Sequence, residues 1–542
     1  MTLMSALPTR RRLRAPREHG EALVEPPFDE APHLLSDNCD QIAAYEFDIQ
    51  GRSLQELRRA ARQDLLDKAI THTRSYLPVN VAKFETPDTL ILSGHQPTLF
   101  HPGVWFKNLA LHHFGNTLQA QPINLLIDND VAAMTSTSIR VLAGSPSSPR
   151  VEYVSIDAPA PESPFEDRKI VDVERVASFA DRVARRVSSF VERPLIRKLW
   201  QPIRDICRHT TCLGQTVAQA RHTYEHALGF RTLEVPLSHV CQGESFLWFA
   251  SHLLAHLPRL WDVYNSALGD YRKVNRIRSR THPVAELIEA DGWLEAPLWM
   301  WSRDDPQRRR LFARFRDDTI QLTDRQAISV EISLSTERSA EVAVQQLTEI
   351  QRDGIRIRPR ALITTMFARL LLGDLFLHGI GGAKYDELTD EILRRFFEVE
   401  PPDYMLLSAT MMLPIERSEV TRNDLRNLQR QLRDLDYNPD RCLDSAQRND
   451  PSVAAQLSEK RRWIEKKSPE DDRLQRHLAI TRINQNFQPL IAEKREKLQS
   501  QSIILGQQLR NNQILGSREW SFCLFPEERL VGQLLELSPK PA

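Results

Sequence analysis

Apolar residues recur at every third or fourth position over residues 53–76, and this period predicts a helix with one buried side. Two short, continuous apolar runs, 89–92 and 123–127, are typical of strands buried on both faces, and residues 104–114 between them have the pattern of a helix. A strand, a helix and a second strand in this order open a parallel α/β sheet, in which ligands bind at the carboxyl ends of the strands. We therefore predict the α/β class, with a Rossmann-like parallel sheet as the core.

Beyond the second strand, the hydrophobic pattern becomes largely helical and then changes to clean alternation. Residues 319–322 and 327–334 place apolar side chains at every second position, which predicts an antiparallel hairpin. An α/β pattern returns over 361–377 and ends in a strand over 404–407. The simplest interpretation is a mixed helical and β insertion, 171–345, that interrupts the parallel sheet.

The chain becomes highly charged after residue 414, and four leucines there are spaced three, four and three positions apart, as in the a/d seam of a coiled coil. The four are Leu425, Leu428, Leu432 and Leu435. A further helix is expected to begin at Ser468 and to kink at Pro489. We interpret the region as an antiparallel coiled-coil hairpin that makes a homodimer, and the pattern leaves open whether the seam pairs within or between chains.

The first forty residues follow neither a helical nor a strand period. Arginines are followed there by a stretch rich in proline and acidic residues, which is typical of a solvated tail; a basic arm that contacts phosphate is the alternative. The arginines are Arg10, Arg11, Arg12, Arg14 and Arg17. The predicted domains are a disordered basic tail (1–40), the first half of the core (41–170), the insertion (171–345), the second half of the core (346–415), the coiled-coil hairpin (416–511) and a tail that packs on the core (512–542).

Composition narrows the class of protein. Of 542 residues, 41% are hydrophobic and 27% are charged, as in globular chains, and 72 basic residues balance 72 acidic ones. Without a net field, we expect no nucleic-acid or membrane partner. Six cysteines are few for this length and no apolar signal segment opens the chain, so we expect a cytoplasmic protein. Cys207 and Cys212 lack a second matching pair, and no structural metal is expected.

The segment most informative for function is 93–110, SGHQPTLFHPGVWFKNLA, which follows the first strand. The amides that open the next helix near Gly103 are expected to bind an anion, because helix N-termini carry unpaired N–H groups. His95, His101 and Lys107 supply donors for the charge on a bound phosphate and are the catalytic candidates. The binding candidates of this segment are Ser93, Gly94, Gln96 and Gly103. A histidine-containing packed turn is the alternative.

Two further polar clusters carry candidates. Asp128, Asn129 and Asp130 end the second strand; the two carboxylates are catalytic candidates that would bind an amine or Mg²⁺, and Asn129 is a binding candidate. A helix cap explains one of the three equally well. The third cluster, HGIGGAKYDE, precedes a helix expected over 387–397, and its glycines would cradle a phosphate unless they form a bare turn. Its binding candidates are Gly379, Gly381, Gly382, Lys384 and Tyr385.

In these clusters the chain resembles the family of bacillithiol-biosynthesis cysteine-adding enzymes (BshC). The family's Thr-Gly-Gln-Gln type turn and Gly-Pro-containing helix start correspond to 93–97 and 99–103, and its acidic segment corresponds to 128–130. Its Gly-Gly-Pro-Gly-Glu turn corresponds to 379–385 and is followed at similar spacing by Ser408, a further binding candidate.

The resemblance implies a Rossmann-like core, a dimerising coiled-coil arm and a ligase that joins cysteine to a glucosaminyl-malate acceptor. It extends in order and spacing from about residue 85 to the C-terminus, and the chain departs from it at Pro97, where the family has a second glutamine. The ligase hypothesis includes small-molecule substrates, ATP or ADP, and Mg²⁺.

Two alternatives stay open. One is a nucleotidyltransferase-like enzyme that acts on another small substrate, and the other is a non-catalytic coiled-coil protein that dimerises or binds a partner. The readings differ in one structural requirement. The side chains of His95, His101, Asp128 and Lys384 are expected to converge in an enzyme and to diverge in a scaffold, and four side chains without any shared cavity would exclude the enzyme hypotheses.

Overall fold

The computed structural model describes residues 13–79, 89–465 and 473–538. Within them, the strands are β1 (Glu21–Glu25), β2 (Leu90–His95), β3 (Gln121–Leu126), β4 (Ser138–Ser145), β5 (Ser148–Ser155), β6 (Leu233–Pro236), β7 (Glu289–Ala290), β8 (Trp293–Ser302), β9 (Arg309–Arg316), β10 (Thr319–Thr323), β11 (Ser329–Ser333), β12 (Ile355–Pro359), β13 (Leu375–His378) and β14 (Tyr404–Thr410). The helices are α1 (Ala31–Ala43), α2 (Leu54–Arg74), α3 (Pro102–Thr117), α4 (Val173–Ala177), α5 (Phe179–Val187), α6 (Ile196–Leu199), α7 (Ile203–His209), α8 (Leu213–Ala227), α9 (Leu237–Val240), α10 (Glu244–Ala255), α11 (Leu257–Asn275), α12 (Glu341–Arg352), α13 (Ala361–Phe367), α14 (Ile380–Phe396), α15 (Arg422–Tyr437), α16 (Ser445–Asn449), α17 (Pro451–Glu465), α18 (Arg473–Phe487), α19 (Ala492–Leu515) and α20 (Glu527–Glu536). None of these helices combines the length and the apolar character that a membrane crossing needs.

The chain forms two compact units. The first comprises Met1–Val141, Glu152–Pro414 and Arg518–Ala542, as far as the structure describes them. The second comprises Leu142–Val151 and Ile415–Ser517.

A six-stranded sheet in the order β1-β14-β13-β2-β3-β6 forms the centre of the first unit. The five strands from β14 to β6 are parallel, so their carboxyl ends meet at one edge. Packed helices, among them α2, α3 and α14, cover the sheet, and its inner strands are therefore buried along almost their whole length. The mixed α/β class is confirmed, and the pairing of β2 with β13 joins the two segments that the sequence assigns to one core.

The expectation of a disordered tail over residues 1–40 is wrong for its second half. Residues Glu21–Glu25 form an edge strand antiparallel to β14, and the Asn38 side chain of α1 donates to the carbonyls of Asp374 and Asp403, both at 2.9 Å. The segment is ordered by backbone pairing with strands that are distant in sequence, and such pairing leaves no local period. Arg10, Arg11 and Arg12 lie outside the described residues.

A second, antiparallel sheet has the order β11-β10-β9-β8-β12, with β7 beside β8. Its β10 and β11 confirm the hairpin expected from alternation, and Ile320 lies opposite Ile332 on the buried face. The predicted insertion, 171–345, is not a separate body, because its β6 joins the parallel sheet while β12, which follows it, pairs with β8. Within the largely helical part of this region, α10 and α11 meet at His256.

In the described part of the second unit there are five α-helices, α15 to α19, rather than the two long ones expected. Helix α15 packs along α19, and α17 packs along α18. Of the four seam leucines, Leu435 is buried in the small core of this unit and the other three are half-buried. Pro489 lies in the short turn Gln488–Ile491 that separates α18 from α19, as its predicted kink requires. The helix start expected at Ser468 lies outside the described residues.

The C-terminal tail packs inside the first unit. The side chains of Trp520 and Phe522 are fully buried. The ring of Phe522 stacks on Trp105 of α3, with centroids 4.8 Å apart. The backbone N–H of Phe522 donates to the carbonyl of Phe100 at 2.9 Å. The tail thereby holds the loop that joins β2 to α3.

Candidate functional site

The carboxyl ends of the parallel strands open into a cleft with a volume of about 1140 Å³. Residues that follow β2, β3 and β13 form one side, and residues of β8, β9 and the loop after β12 form the other. Fourteen of the sixteen residues predicted for the site line it, namely Gly94, His95, Gln96, His101, Gly103, Lys107, Asn129, Asp130, Gly379, Gly381, Gly382, Lys384, Tyr385 and Ser408. His95, His101 and Lys384 therefore share one cavity, and Asp128 does not.

Asp128 and Ser93 are the two predicted site residues that do not line the cleft, and both are buried. The Asp128 carboxylate accepts hydrogen bonds from the N–H of Ser238, at 2.8 Å, and from the Ser238 hydroxyl, and it thus caps the first turn of α9. Ser93 lies inside β2, where its hydroxyl donates to the carbonyl of Leu377 at 3.3 Å. Side chains at a strand end point to alternate sides, and a single sequence does not show which side faces the ligand.

The N-terminus of α3, expected to bind an anion, is already occupied by the protein. His101 is the cap residue, and its Nδ1 accepts the N–H of Gly103 at 3.1 Å. Arg518 lies at the same place and donates to the Ser408 hydroxyl and to the Ala409 carbonyl, both at 3.2 Å. Burial lowers the pKa of His101. His101 and Gly103 thus line the cleft, but the N–H of Gly103 is already bonded to His101 and the Arg518 side chain is bonded to β14.

Lys107, one turn further along α3, is 4% exposed. Its ammonium group donates to the carbonyl of Gly94 at 3.0 Å, and among the described residues no carboxylate forms an ion pair with it. Burial lowers its pKa to about 8. Lys107 is therefore a buried cation whose charge the protein leaves largely uncompensated.

The glycine cluster forms a helix N-terminus and not a turn. Helix α14 begins at Ile380, seven residues before the expected start at 387. Its cap residue is Gly379, which has no side chain that could accept from the first amides of the helix. The first intrahelical bond of this turn is donated by Ala383, and within the described segments no group accepts from the preceding amides of Gly381 and Gly382, as an anion could. The Cε of Lys107 lies 3.8 Å from where a Cβ on Gly379 would be, which places the buried cation beside these amides.

His95 is buried between β2 and α3. Its Nδ1 lies 3.1 Å from the carbonyl oxygen of Gln96, and its ring meets the Phe100 ring edge-on with centroids 4.7 Å apart. Burial, with the nearby charges of Arg221 and Lys107, holds its pKa well below the ordinary value. At neutral pH, Lys107 is thus the cation among the three catalytic candidates of this segment.

The opposite wall contains arginines that the sequence analysis missed. Arg308 and Arg360 lie over the Trp299 ring, at 4.4 and 4.2 Å from its centroid. Arg308 also pairs with Asp130 at 2.8 Å, and the other oxygen of this carboxylate accepts from Gln96. The arginine run 308–310 was the available signal, but nothing local in sequence places it opposite β2.

The charge of the lining is strongly positive. Seven basic side chains face two carboxylates there, among the residues that the structure describes; they are Arg14, Lys107, Arg308, Arg310, Arg360, Lys384 and Arg518, against Asp130 and Glu519. The described residues contain no group of three or more His, Cys, Asp or Glu side chains arranged to hold a metal ion. Behind the lining, the buried Glu295 pairs with Arg310 at 3.1 Å and with Arg360 at 2.6 Å, so part of this positive charge is compensated within the protein.

No protein-family model matches the chain, and no curated protein matches it either.

Gly103 permits the close approach of α3 to β14, since a Cβ there would lie 2.4 Å from the carbonyl oxygen of Ala409. We expect Gly103→Ala to destabilise the protein by about 1–3 kcal/mol in urea unfolding. Gly269→Ala in α11, where a Cβ would meet nothing within 4 Å, is the control and should stabilise by up to about 1 kcal/mol. Equal stabilities of the two variants would contradict the close approach.

The buried cap Asp128 gives a prediction for pH dependence. Burial raises its pKa from 3.8 to about 6, so the folded protein retains a proton that the unfolded chain releases, and stability falls as the pH rises through this window. We therefore expect the free energy of unfolding of Asp128→Asn, measured in urea relative to the wild type, to increase by on the order of 1–3 kcal/mol between about pH 4 and pH 6.5. A difference that is constant over this range would show that Asp128 is not desolvated.

Proposed function

We propose that the chain is an enzyme whose cleft binds anionic small molecules, and that its reaction is of the cysteine-adding ligase class. The observation that carries the proposal is the position of Lys107, a buried cation beside the free amides that open α14. On this proposal, the parallel sheet is a Rossmann-like core, which binds its ligand outside the carboxyl ends of the strands.

The burial of Lys107 has a cost that the protein itself does not offset. A pKa lowered from 10.5 to about 8 corresponds to on the order of 3 kcal/mol of unfavourable free energy at neutral pH. The hydrogen bond to Gly94 uses one of three donors. Strained or costly groups of this kind are typical of functional sites, and a bound anion would supply the missing charge.

The two sides of the cleft suit two parts of the proposed reaction. Lys107 with the amides of Gly381 and Gly382 would bind the phosphates of ATP or ADP and stabilise the charge on the leaving phosphate. Arg308 and Arg360 around Trp299 pair with Asp130 and Glu295, and the guanidinium donors that these ion pairs leave unused suit the carboxylates of a glucosaminyl-malate-like acceptor. Mg²⁺ would enter on the nucleotide phosphates, since Arg308 already holds the Asp130 carboxylate.

A nucleotidyltransferase-like enzyme is the second candidate, because the same phosphate site would serve another acceptor. A non-catalytic coiled-coil protein that dimerises or binds a partner is the third. It is favoured by the exposure of Leu474 and Leu478 on α18, which are 68% and 57% exposed and lie four positions apart.

We expect Lys107→Met to raise the free energy of unfolding at pH 7 by on the order of 1–3 kcal/mol, because methionine has a similar shape to lysine but places no charge in the buried position. The wild type should be stabilised by ATP or ADP, by about 2.7 kcal/mol at a hundredfold excess over Kd, and the variant should lose this stabilisation. Thermal unfolding with each ligand measures both effects.

Lys273→Met, on the exposed surface of α11, is the matched control and should change neither stability nor binding. A less stable Lys107→Met protein that still binds nucleotide would contradict the proposal. Further stabilisation by cysteine and glucosaminyl-malate, followed by detection of their amide product, supports the ligase. Nucleotide binding without a response to either favours the nucleotidyltransferase, and no response to any of the four ligands favours the non-catalytic role.

We propose that the protein is a homodimer and that α15 and α19 act as a coiled-coil arm. Because Leu428 and Leu432 are half-buried within the unit, the exposed pair on α18 is the better contact for a second chain. We expect Leu474→Glu with Leu478→Glu to give folded monomers in sedimentation, whereas Leu428→Asp with Leu432→Asp should lower the helix content. A dimer that survives the first pair of changes would place the contact elsewhere.

A further inference from the structure

His378 occupies the end of β13, lines the cleft and is 4% exposed. Its Nε2 lies 2.6 Å from Oδ2 of Asp386, a fully buried carboxylate of α14. Arg369 donates to the same carboxylate at 3.0 Å and holds it in place. The contact is an ion-pair distance whose angles fall outside those of a hydrogen bond, and a carboxylate so close to Nε2 favours the proton on Nε2 and the lone pair on Nδ1.

The Nδ1 atom lies at the first turn of α14, where a Cβ on Gly382 would come within 2.5 Å of it. Among the described residues, none bonds to this nitrogen. Its lone pair is thus unused at the position where Lys107 and the free amides of α14 would hold an anion. The side chain that precedes the anion site in sequence is also next to it in space.

The other two histidines of the cleft lack this arrangement. His101 uses Nδ1 to accept the N–H of Gly103, and its Nε2 lies 4.0 Å from Glu519. His95 has Nδ1 on the carbonyl of Gln96 and an Nε2 that the protein encloses. Within the described part of the chain, His378 is therefore the cleft histidine that combines a carboxylate on one nitrogen with an unbonded second nitrogen.

We propose that His378, oriented by Asp386, is the general base of this cleft and takes the proton of a substrate amine. The inference rests on the proposed function and deepens it. The amine nitrogen of the acceptor forms a C–N bond to a carboxyl carbon that ATP has activated as an acyl phosphate or adenylate. The C–O bond to the phosphoryl group breaks, its electron pair leaves with phosphate or AMP beside Lys107, and the amine proton moves to Nδ1.

The charges around the dyad suit this role. Burial lowers the pKa of His378 while Asp386 raises it, and the net position below the ordinary value keeps the ring unprotonated at neutral pH. Although burial acts to raise the pKa of Asp386, the charges of His378 and Arg369 hold it well below the usual range. The carboxylate is therefore ionised when the imidazolium forms and stabilises it.

Rapid-quench measurement of amide formation from ATP, cysteine and glucosaminyl-malate tests the base directly. We expect His378→Gln to lower the rate about 10²–10⁴-fold while stabilisation by ADP is unchanged. Asp386→Asn, a change in a positioning residue, should lower the rate and move the acidic limb of the pH–rate profile to lower pH, because the imidazolium loses its carboxylate. His209→Gln, exposed at the end of α7, is the control and should match the wild type.

Carbethoxylation by diethyl pyrocarbonate at pH 7, mapped by mass spectrometry, is the second test and needs no turnover. We expect the reagent to modify His378, ADP to protect it, and Gly382→Ala to block the modification by crowding Nδ1.

The two tests separate the dyad from the ligase. If His378→Gln forms the product at the wild-type rate, the dyad is overturned and the ligase stands. If the wild type forms no product, the proposed ligase fails and carbethoxylation decides: a reactive His378 that ADP protects supports the base, and an unreactive or unprotected one overturns it.

Discussion

The buried carboxylate of Glu225 fixes the arrangement of α3, α8 and β6 in the first unit. It lies 2.6 Å from Arg221 and accepts hydrogen bonds from the Trp105 indole and the Asn108 amide, both at 2.8 Å. Arg221 in turn pairs with Glu234 of β6 at 2.5 Å, and all of these groups are buried. Because a buried charge that loses its partner is very costly, α3, α8 and β6 have one favourable arrangement. Trp105 and Asn108 fix the rotation of α3 about its axis, and in this rotation Lys107 faces the cleft.

Two kinds of buried polar group therefore have different consequences in this protein. Asp128 and Glu225 are buried with hydrogen-bond donors around them, so they stabilise the arrangement of α9 and α3. Lys107 and His378 are buried at the edge of the cleft with part of their hydrogen-bonding capacity unused. Burial alone therefore does not show which polar groups retain the capacity to bind a ligand.

The cleft lies between a parallel and an antiparallel sheet, and each contributes a different chemistry. The parallel sheet supplies helix amides, a buried lysine and the imidazole–carboxylate pair, and these groups lie on adjacent elements, β13, α14 and α3. The antiparallel sheet supplies arginines stacked on Trp299, which extend the positive field without crowding the amides. The proposed ligase would use such a division, because an activated carboxyl group and its acceptor must be held at the same time.

The sequence by itself determined the elements whose periods are local, such as α2, the inner strands β2 and β3, and the β10–β11 hairpin. It also indicated the cleft, since glycines, histidines and acidic residues after strands must gather at the single edge where parallel strands end. Tertiary structure alone decided which of these side chains face the ligand, so Asp128 became a cap and His378 a partner of Asp386. It also decided that β1 pairs with β14 and that Arg308 and Arg360 lie over Trp299 in the cleft. The reason is that a hydrophobic period records how much a segment is buried, whereas the partner that buries it lies far away in the chain.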